Sequence, residues 1–296
     1  MPYVGNKKDK SEPILDVINS SCFDGMKYVE PFVGMGHILR RVVNKSSYEA
    51  GDLRDSTYVI MCALQRCQTY PNITRPVYQL LHDMFHDGFF VVPRKEEQLI
   101  LSYLHRIGDR NNFGFTLEEM TAFASQATPQ SRPWDGYQGN KSERNSKNKK
   151  FGQNWKTQRE VDYNLLLDSD TFQETNFFHR SFQDWSSKIK NSVIYCDAPY
   201  QSSNADNSRH YGTPPFNFDA YWNRVRKWSE PKLGNFVIVS EYNAPPDFVS
   251  LLSFKKKGVY DKYNTEKLFM TRKAHTFWRN KMCVVDLSEE MAQMMI

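Results

Sequence analysis

The residues best suited to chemistry in this chain are Asp197-Ala198-Pro199-Tyr200. They close a short apolar, β-branched run, Ser192-Val193-Ile194-Tyr195-Cys196, of the kind that forms a strand buried on both faces in a parallel sheet. Ligands of open α/β sheets bind beyond the carboxyl ends of the strands, which puts Asp197 and Tyr200 at a pocket. Asp197 offers acceptors only, the carbonyl of Ala198 adds another, and Tyr200 supplies a flat ring. That set suits an exocyclic amino group on a planar base: two acceptors for its hydrogens and a ring to stack on.

A second set lies upstream. Lys27-Tyr28-Val29-Glu30-Pro31-Phe32-Val33-Gly34-Met35-Gly36-His37 reads as a strand and a glycine turn, running into a helix start over Ile38–Val43. The glycines allow a ligand close to the backbone, and free N–H groups at a helix N-terminus would face it. Sixteen residues after Gly36, a second candidate strand, Ser47–Gly51, ends at Asp52. An acid at that strand tip is where nucleoside-binding α/β folds hold ribose hydroxyls. Leu39 stands where a dinucleotide fingerprint would carry its third glycine, which favours a mononucleoside-type cofactor. A lone G-x-G more often marks a tight turn; the spaced Asp52 and the strand-end Asp197 are what raise this one above that. At the start of the chain, Tyr3-Val4-Gly5-Asn6-Lys7 is a glycine turn with a lysine ahead of a helix. Such a turn can take the carboxylate of a small ligand, or be an untidy terminus.

The elements that must position these residues follow from apolar periodicity. Helices are expected over Glu12–Ser21, Thr57–Cys67, Val77–Phe85, Glu96–His105, Leu117–Gln126 and Phe218–Trp228. A second buried strand is expected over Asn235–Tyr242. Lys255–Tyr263, Lys267–Thr271 and Lys281–Leu287 alternate as strands, the first two forming a hairpin. Gln201–Pro215 is polar and reads as a mobile loop beside the pocket. The character of the chain changes after Tyr70-Pro71, so a module is expected at about residues 70–175, with 1–69 and 176–296 as the surrounding domain.

The chain has 296 residues and a net charge of +5. Its five cysteines are scattered and fit reduced thiols, and no Cys/His spacing suggests a metal site. The N-terminus lacks a signal-peptide pattern and no apolar run is long enough to span a membrane; an intracellular protein is expected. Charge is concentrated between Ser131 and Glu160, where Arg132, Lys141, Arg144, Lys147, Lys149, Lys150, Lys156 and Arg159 face only three acids. Trp134, Tyr137, Phe151 and Trp155 are interleaved with them. Basic groups for phosphates, with amides and aromatics for bases, make the footprint of a nucleic-acid surface; a solvated loop has the same composition.

In order and in motif the chain resembles the Dam-like DNA adenine-N6 methyltransferases. The resemblance rests on Tyr3-Val4-Gly5-Asn6-Lys7, Glu30-Pro31-Phe32-Val33-Gly34-Met35-Gly36, Asp52, a poorly matching middle region, and Asp197-Ala198-Pro199-Tyr200 in place of D-P-P-Y. It implies a Rossmann-like α/β domain with a mostly parallel sheet, a C-terminal antiparallel hairpin and a largely helical inserted target-recognition domain. It implies S-adenosylmethionine as cofactor, held by Tyr3, Gly5, Lys7, Pro31, Phe32, Gly34, Gly36, Asp52, Ser181, Phe182 and Asp197, with no metal. Asp197, Ala198, Pro199 and Tyr200 would be catalytic on a target adenine flipped out of double-stranded DNA. The resemblance leaves room for a partner nuclease in restriction–modification, and for a monomer or weak dimer. Three departures stand out: Tyr3 for a frequent Trp, Asn6 for a glycine, and Ala198 for the first proline of D-P-P-Y. Alanine keeps the carbonyl but loses the locked φ. The alternatives carried forward are another amino-methyltransferase, acting on cytosine-N4 or RNA, and a DNA-binding relative with weakened catalysis.

Overall fold

The computed structural model describes residues 11–71, 73, 80–81, 94–107, 114–127, 161–200, 216–257 and 263–282. The chain divides into two compact units: Arg54–Gln173 belongs to one, and Lys7–Leu53 with Glu174–Ile296 forms the other.

The second unit is built on a seven-stranded sheet of order β3-β2-β1-β4-β5-β7-β6. Its strands are β1 (Lys27–Glu30), β2 (Ser47–Asp52), β3 (Asn176–His179), β4 (Ser192–Cys196), β5 (Phe236–Glu241), β6 (Phe248–Lys257) and β7 (Tyr263–Thr271). The first five run parallel to one another, while β7 joins β5 and β6 antiparallel. This is the mostly parallel, Rossmann-like sheet with a C-terminal hairpin that the sequence implied. β4 pairs with β1 on one side and β5 on the other, and all five of its residues are buried, as a strand covered on both faces requires.

Side chains of period two separate into two cores. Tyr28, Tyr48, Ala50, Val193, Tyr195, Phe236 and Ile238 pack on one face with Ile14, Leu15 and Ile18 of α1 (Ser11–Ile18) and with Ala274 and Trp278 of a C-terminal helix, Arg272–Met282. Val29, Ile194, Cys196, Val237 and Val239 pack on the other with Tyr221, Trp222, Val225 and Trp228 of the helix Phe218–Trp228. Asn217 caps that last helix, its side chain accepting from the Ala220 amide at 2.9 Å.

Three expectations need correction. The helix start expected over Ile38–Val43 is only a 3₁₀ turn, Leu39–Arg41. Val42 already adopts an extended conformation and Asn44 a positive φ of 58°; β-branched Val42 and Val43 favour extension, and the chain turns there into β2. Phe177–His179, read only as a lead-in to β4, belongs to edge strand β3, paired with β2. Lys281 and Met282, expected to open a strand, end the helix Arg272–Met282, because Ala274 and Trp278 recur at i, i+4 and anchor a helical face.

The other unit is helical in its described residues. α2 (Asp55–Cys67), α3 (Arg94–Ile107) and α4 (Leu117–Ala127) account for most of it, with a further helical stretch at 161–167. Arg66 forms an ion pair with Glu119 at 2.5 Å and donates to the Gly114 carbonyl at 3.0 Å. Phe123 meets Phe115 at 5.7 Å and Tyr163 at 5.4 Å, both edge-on. Gln65 donates to the carbonyl of Phe172 at 2.7 Å.

Candidate active site

The strand order reverses between β1 and β4: β2 and β3 continue to one side, β5 to the other. Such a switch point opens a crevice at the carboxyl ends of the two central strands. The glycine turn leaves β1 there and Asp197–Tyr200 leave β4. The register Lys27↔Ser192, Tyr28↔Val193 and Val29↔Ile194 keeps the two ends level.

Asp52 ends β2 next to the glycine turn, and its Oδ2 accepts from the Gly34 amide at 3.0 Å. The Val33 amide donates to the Gly51 carbonyl at 2.9 Å. Gly34 and Gly36 take φ values of +50° and +63°, a region that costs a side chain strain and glycine nothing. The loop is thus folded over the end of β2 by one carboxylate and two backbone conformations. The sequence pairing of G-x-G with Asp52 corresponds to this contact.

Phe32 lies in an aromatic group with Phe182 at 5.9 Å, Phe216 at 6.0 Å and Tyr221 at 5.7 Å. Phe182 in turn meets Phe216 at 5.3 Å. Ser181 starts the turn that presents Phe182: its side chain accepts from the Gln183 amide while Asp184 accepts from the Ser181 amide, a capping box. Ala198, 5 % exposed, packs into this same apolar cluster.

Asp197 is half-buried. The Tyr200 hydroxyl donates to Glu266 Oε1 at 2.9 Å and also reaches Asp197 Oδ1 at 3.3 Å. The Tyr242 ring stands edge-on to Tyr200 at 4.8 Å. Below them, the Tyr28 hydroxyl donates to Glu30 Oε2 at 2.8 Å. Burial lifts the Glu30 carboxyl well above the usual carboxylate range; the bond from Tyr28 opposes the rise, and Asp197 and Asp52 add to it. Glu30 is therefore held neutral at neutral pH. Burial also pushes the Cys196 thiol far up, so it is no nucleophile.

The edge thus combines Glu30, Asp52, Asp197, Glu241 and Glu266 with aromatic walls. Carboxylates and ring faces favour a cation, and a sulfonium with a ribose and a purine fits the donor set: an acid at the second strand tip, rings for the base, and a backbone loop free of Cβ atoms. Among the described residues no cluster of His, Cys, Asp or Glu could hold a metal ion.

The structure brings together Pro31, Phe32, Gly34, Gly36, Asp52, Ser181, Phe182, Asp197, Ala198, Pro199 and Tyr200 within one unit. Tyr3, Gly5 and Lys7 lie outside the described residues, as do Arg132, Lys141, Arg144, Lys147, Lys149, Lys150, Lys156 and Arg159 and the loop Gln201–Pro215. Sequence reasoning passed over Glu266 and Tyr242 as site residues, and the aromatic partners Phe216 and Tyr221. Glu266 had one available signal: it is an acid in an otherwise half-apolar strand, Tyr263–Thr271.

The family model for D12 class N6 adenine-specific DNA methyltransferases matches residues 3–242. No curated protein matches the chain. Two solved structures of the rRNA methyltransferase aviRa from Streptomyces viridochromogenes, at 2.4 Å and 1.5 Å, are similar at 9% and 8% identity and a TM-score of 0.35. Each comparison covers 92% of this chain and 86% of the other. At that TM-score the likeness adds nothing to the fold described above.

Proposed function

The chain belongs to the D12 class N6 adenine-specific DNA methyltransferase family, and we propose that it methylates a flipped adenine in specific sites of double-stranded DNA, using S-adenosylmethionine. The observation that carries the reading is the switch-point crevice, where the Asp52–Gly34 tie and the Asp197–Tyr200 turn open side by side. S-adenosylmethionine, when bound, supplies an electrophilic methyl on a sulfonium and leaves as S-adenosylhomocysteine.

The chain's own residues bind and orient. Asp52 takes the ribose hydroxyls, Phe32 and Phe182 the adenine, and the turn of Gly34 and Gly36 allows the close approach; Tyr3, Gly5, Lys7, Pro31 and Ser181 complete the set. The target base leaves the stack because its amino nitrogen is unreachable inside a duplex. Tyr200 stacks on it, and the Asp197 carboxylate and the Ala198 carbonyl accept its two amino hydrogens. That aims the nitrogen lone pair at the electrophile. No strong base is needed, since the nitrogen sheds a proton readily once it carries a fourth bond. Catalysis is then mainly alignment and fixed electrostatics.

The basic segment from Arg132 to Arg159 contacts DNA phosphates in this reading, within a target-recognition domain at about 70–175. The protein works inside a cell, alone or as a weak dimer, and the family's chemistry suits restriction–modification beside a nuclease. A second reading rests on Ala198: with the proline ring gone the carbonyl is less firmly aimed, and the protein binds DNA with slowed chemistry.

The test is transfer of labelled methyl from S-adenosylmethionine to mixed-sequence duplex DNA, with Ala198→Pro alongside. Label in N6-methyladenine from both proteins supports the reading, and the ratio of rates measures what alanine costs. Label from the proline variant alone selects the second reading. Label from neither sinks both as enzymes.

A further inference from the structure

Tyr200 emerges beyond the end of β4, so the strand ladder does not set the direction of its ring. Its hydroxyl has one proton and two carboxyl groups within reach. Glu266 Oε1 is at 2.9 Å and Asp197 Oδ1 at 3.3 Å. The shorter contact is the ordinary length of a good O–H···O bond and the longer one is beyond it. Glu266 comes from β7, which reaches the site only through its antiparallel pairing with β5, and is 2 % exposed. Tyr242, following β5, closes the other side of the ring at 4.8 Å.

We propose that Glu266 is a positioning residue that takes the Tyr200 hydroxyl proton, thereby fixing the ring and leaving the Asp197 oxygens open to the substrate amino group. The proposal rests on the function given above. Without Glu266 the phenol turns its proton to Asp197, the only other acceptor placed to receive it by a recorded bond. A donor on Asp197 then competes with the amino hydrogens for the same lone pairs. A merely structural glutamate would weaken the protein without making activity depend on whether residue 200 has a hydroxyl.

That dependence is the test. Four proteins are compared by methyl transfer: the parent, Glu266→Leu, Tyr200→Phe and the double variant. Glu266→Leu lowers kcat about 10- to 100-fold, the order expected for a misplaced catalytic group, while KM for DNA stays near the parent's. Tyr200→Phe keeps the ring and loses only a few-fold, roughly the worth of one hydrogen bond. The double variant recovers to the level of Tyr200→Phe, because no hydroxyl remains to occupy Asp197. A double variant no faster than Glu266→Leu overturns the proposal. Binding of S-adenosylhomocysteine by calorimetry checks folding, and Glu266→Gln, with a neutral acceptor of the same shape, replaces Leu if it fails. A parent that transfers no methyl counts against the function itself. The hydrogen bond is then read directly from the ¹³Cζ resonance of Tyr200, assigned by its loss in Tyr200→Phe. The resonance moves in Glu266→Gln if the bond exists, and an unmoved resonance overturns the proposal.

Discussion

The carboxyl edge of the sheet and the helical unit Arg54–Gln173 are held together in opposite ways. At the sheet edge, buried groups constrain one another: Tyr28 on Glu30, Asp52 on Gly34, Tyr200 on Glu266, each within 3.0 Å. In the helical unit the recorded ties include an ion pair whose arginine side chain is 52% exposed, and a small group of rings around Phe123. Leu99 at 70% and Tyr103 at 42% remain exposed on α3. Buried polar contacts resist change because each broken one leaves an unsatisfied group; exposed pairs contribute little and can be exchanged. Chemistry that is common to a family is served by the first arrangement. Recognition that must differ between members is served by the second.

Breaking the edge at its centre should have the largest effect. Asp197→Asn places an N–H against the substrate's own N–H groups and should cut methyl transfer about 100- to 1,000-fold, the loss typical for a polar group aimed at a transition state. Transfer at the parent rate would remove Asp197 from the mechanism. Next comes the floor of the cofactor turn. A Cβ on Gly51 would meet the Phe178 carbonyl and Trp185 at 3.0 Å each, so Gly51→Ala should cost about 1–3 kcal/mol through overpacking, read as a lower urea midpoint. An unchanged midpoint would show that Trp185 gives way.

Glu30 sharpens the comparison through pH. Its folded pKa lies above the ordinary value of 4.5, so the stability it contributes is complete below that value and is lost as pH rises through the folded one. Glu30→Gln removes the titration. Relative to the parent it should gain stability between pH 5 and pH 8 by at most about 1.4 kcal/mol per pH unit, measured by urea unfolding at both. A pH-independent difference would mean that Glu30 is not buried as an acid. The smallest effect belongs to the helical unit. Arg66→Ala should cost under about 1 kcal/mol, vanishing at high salt, and a larger loss would break the contrast between the two regions.

The strands with two buried faces and the helix Phe218–Trp228 were legible because unbroken apolar runs and amphipathic periodicity are local properties. The motif residues were legible too, since Gly34, Gly36, Asp52 and Asp197 are spaced by the strands that carry them. Sequence alone thus determined the sheet's central strands, the glycine turn and the acid at each strand tip. It could not show that Ile38–Val43 turns rather than coils, because Val42 and Asn44 serve a connection to β2 that only the sheet defines. Nor could it place edge strand β3, whose four residues carry little pattern and gain their conformation from pairing with β2. Only the tertiary structure decided that Glu266, 66 residues beyond Tyr200, meets its hydroxyl. The physical reason is that an antiparallel strand inserted beside β5 brings distant residues to the crevice, and no local spacing records which side chain the crossing will deliver.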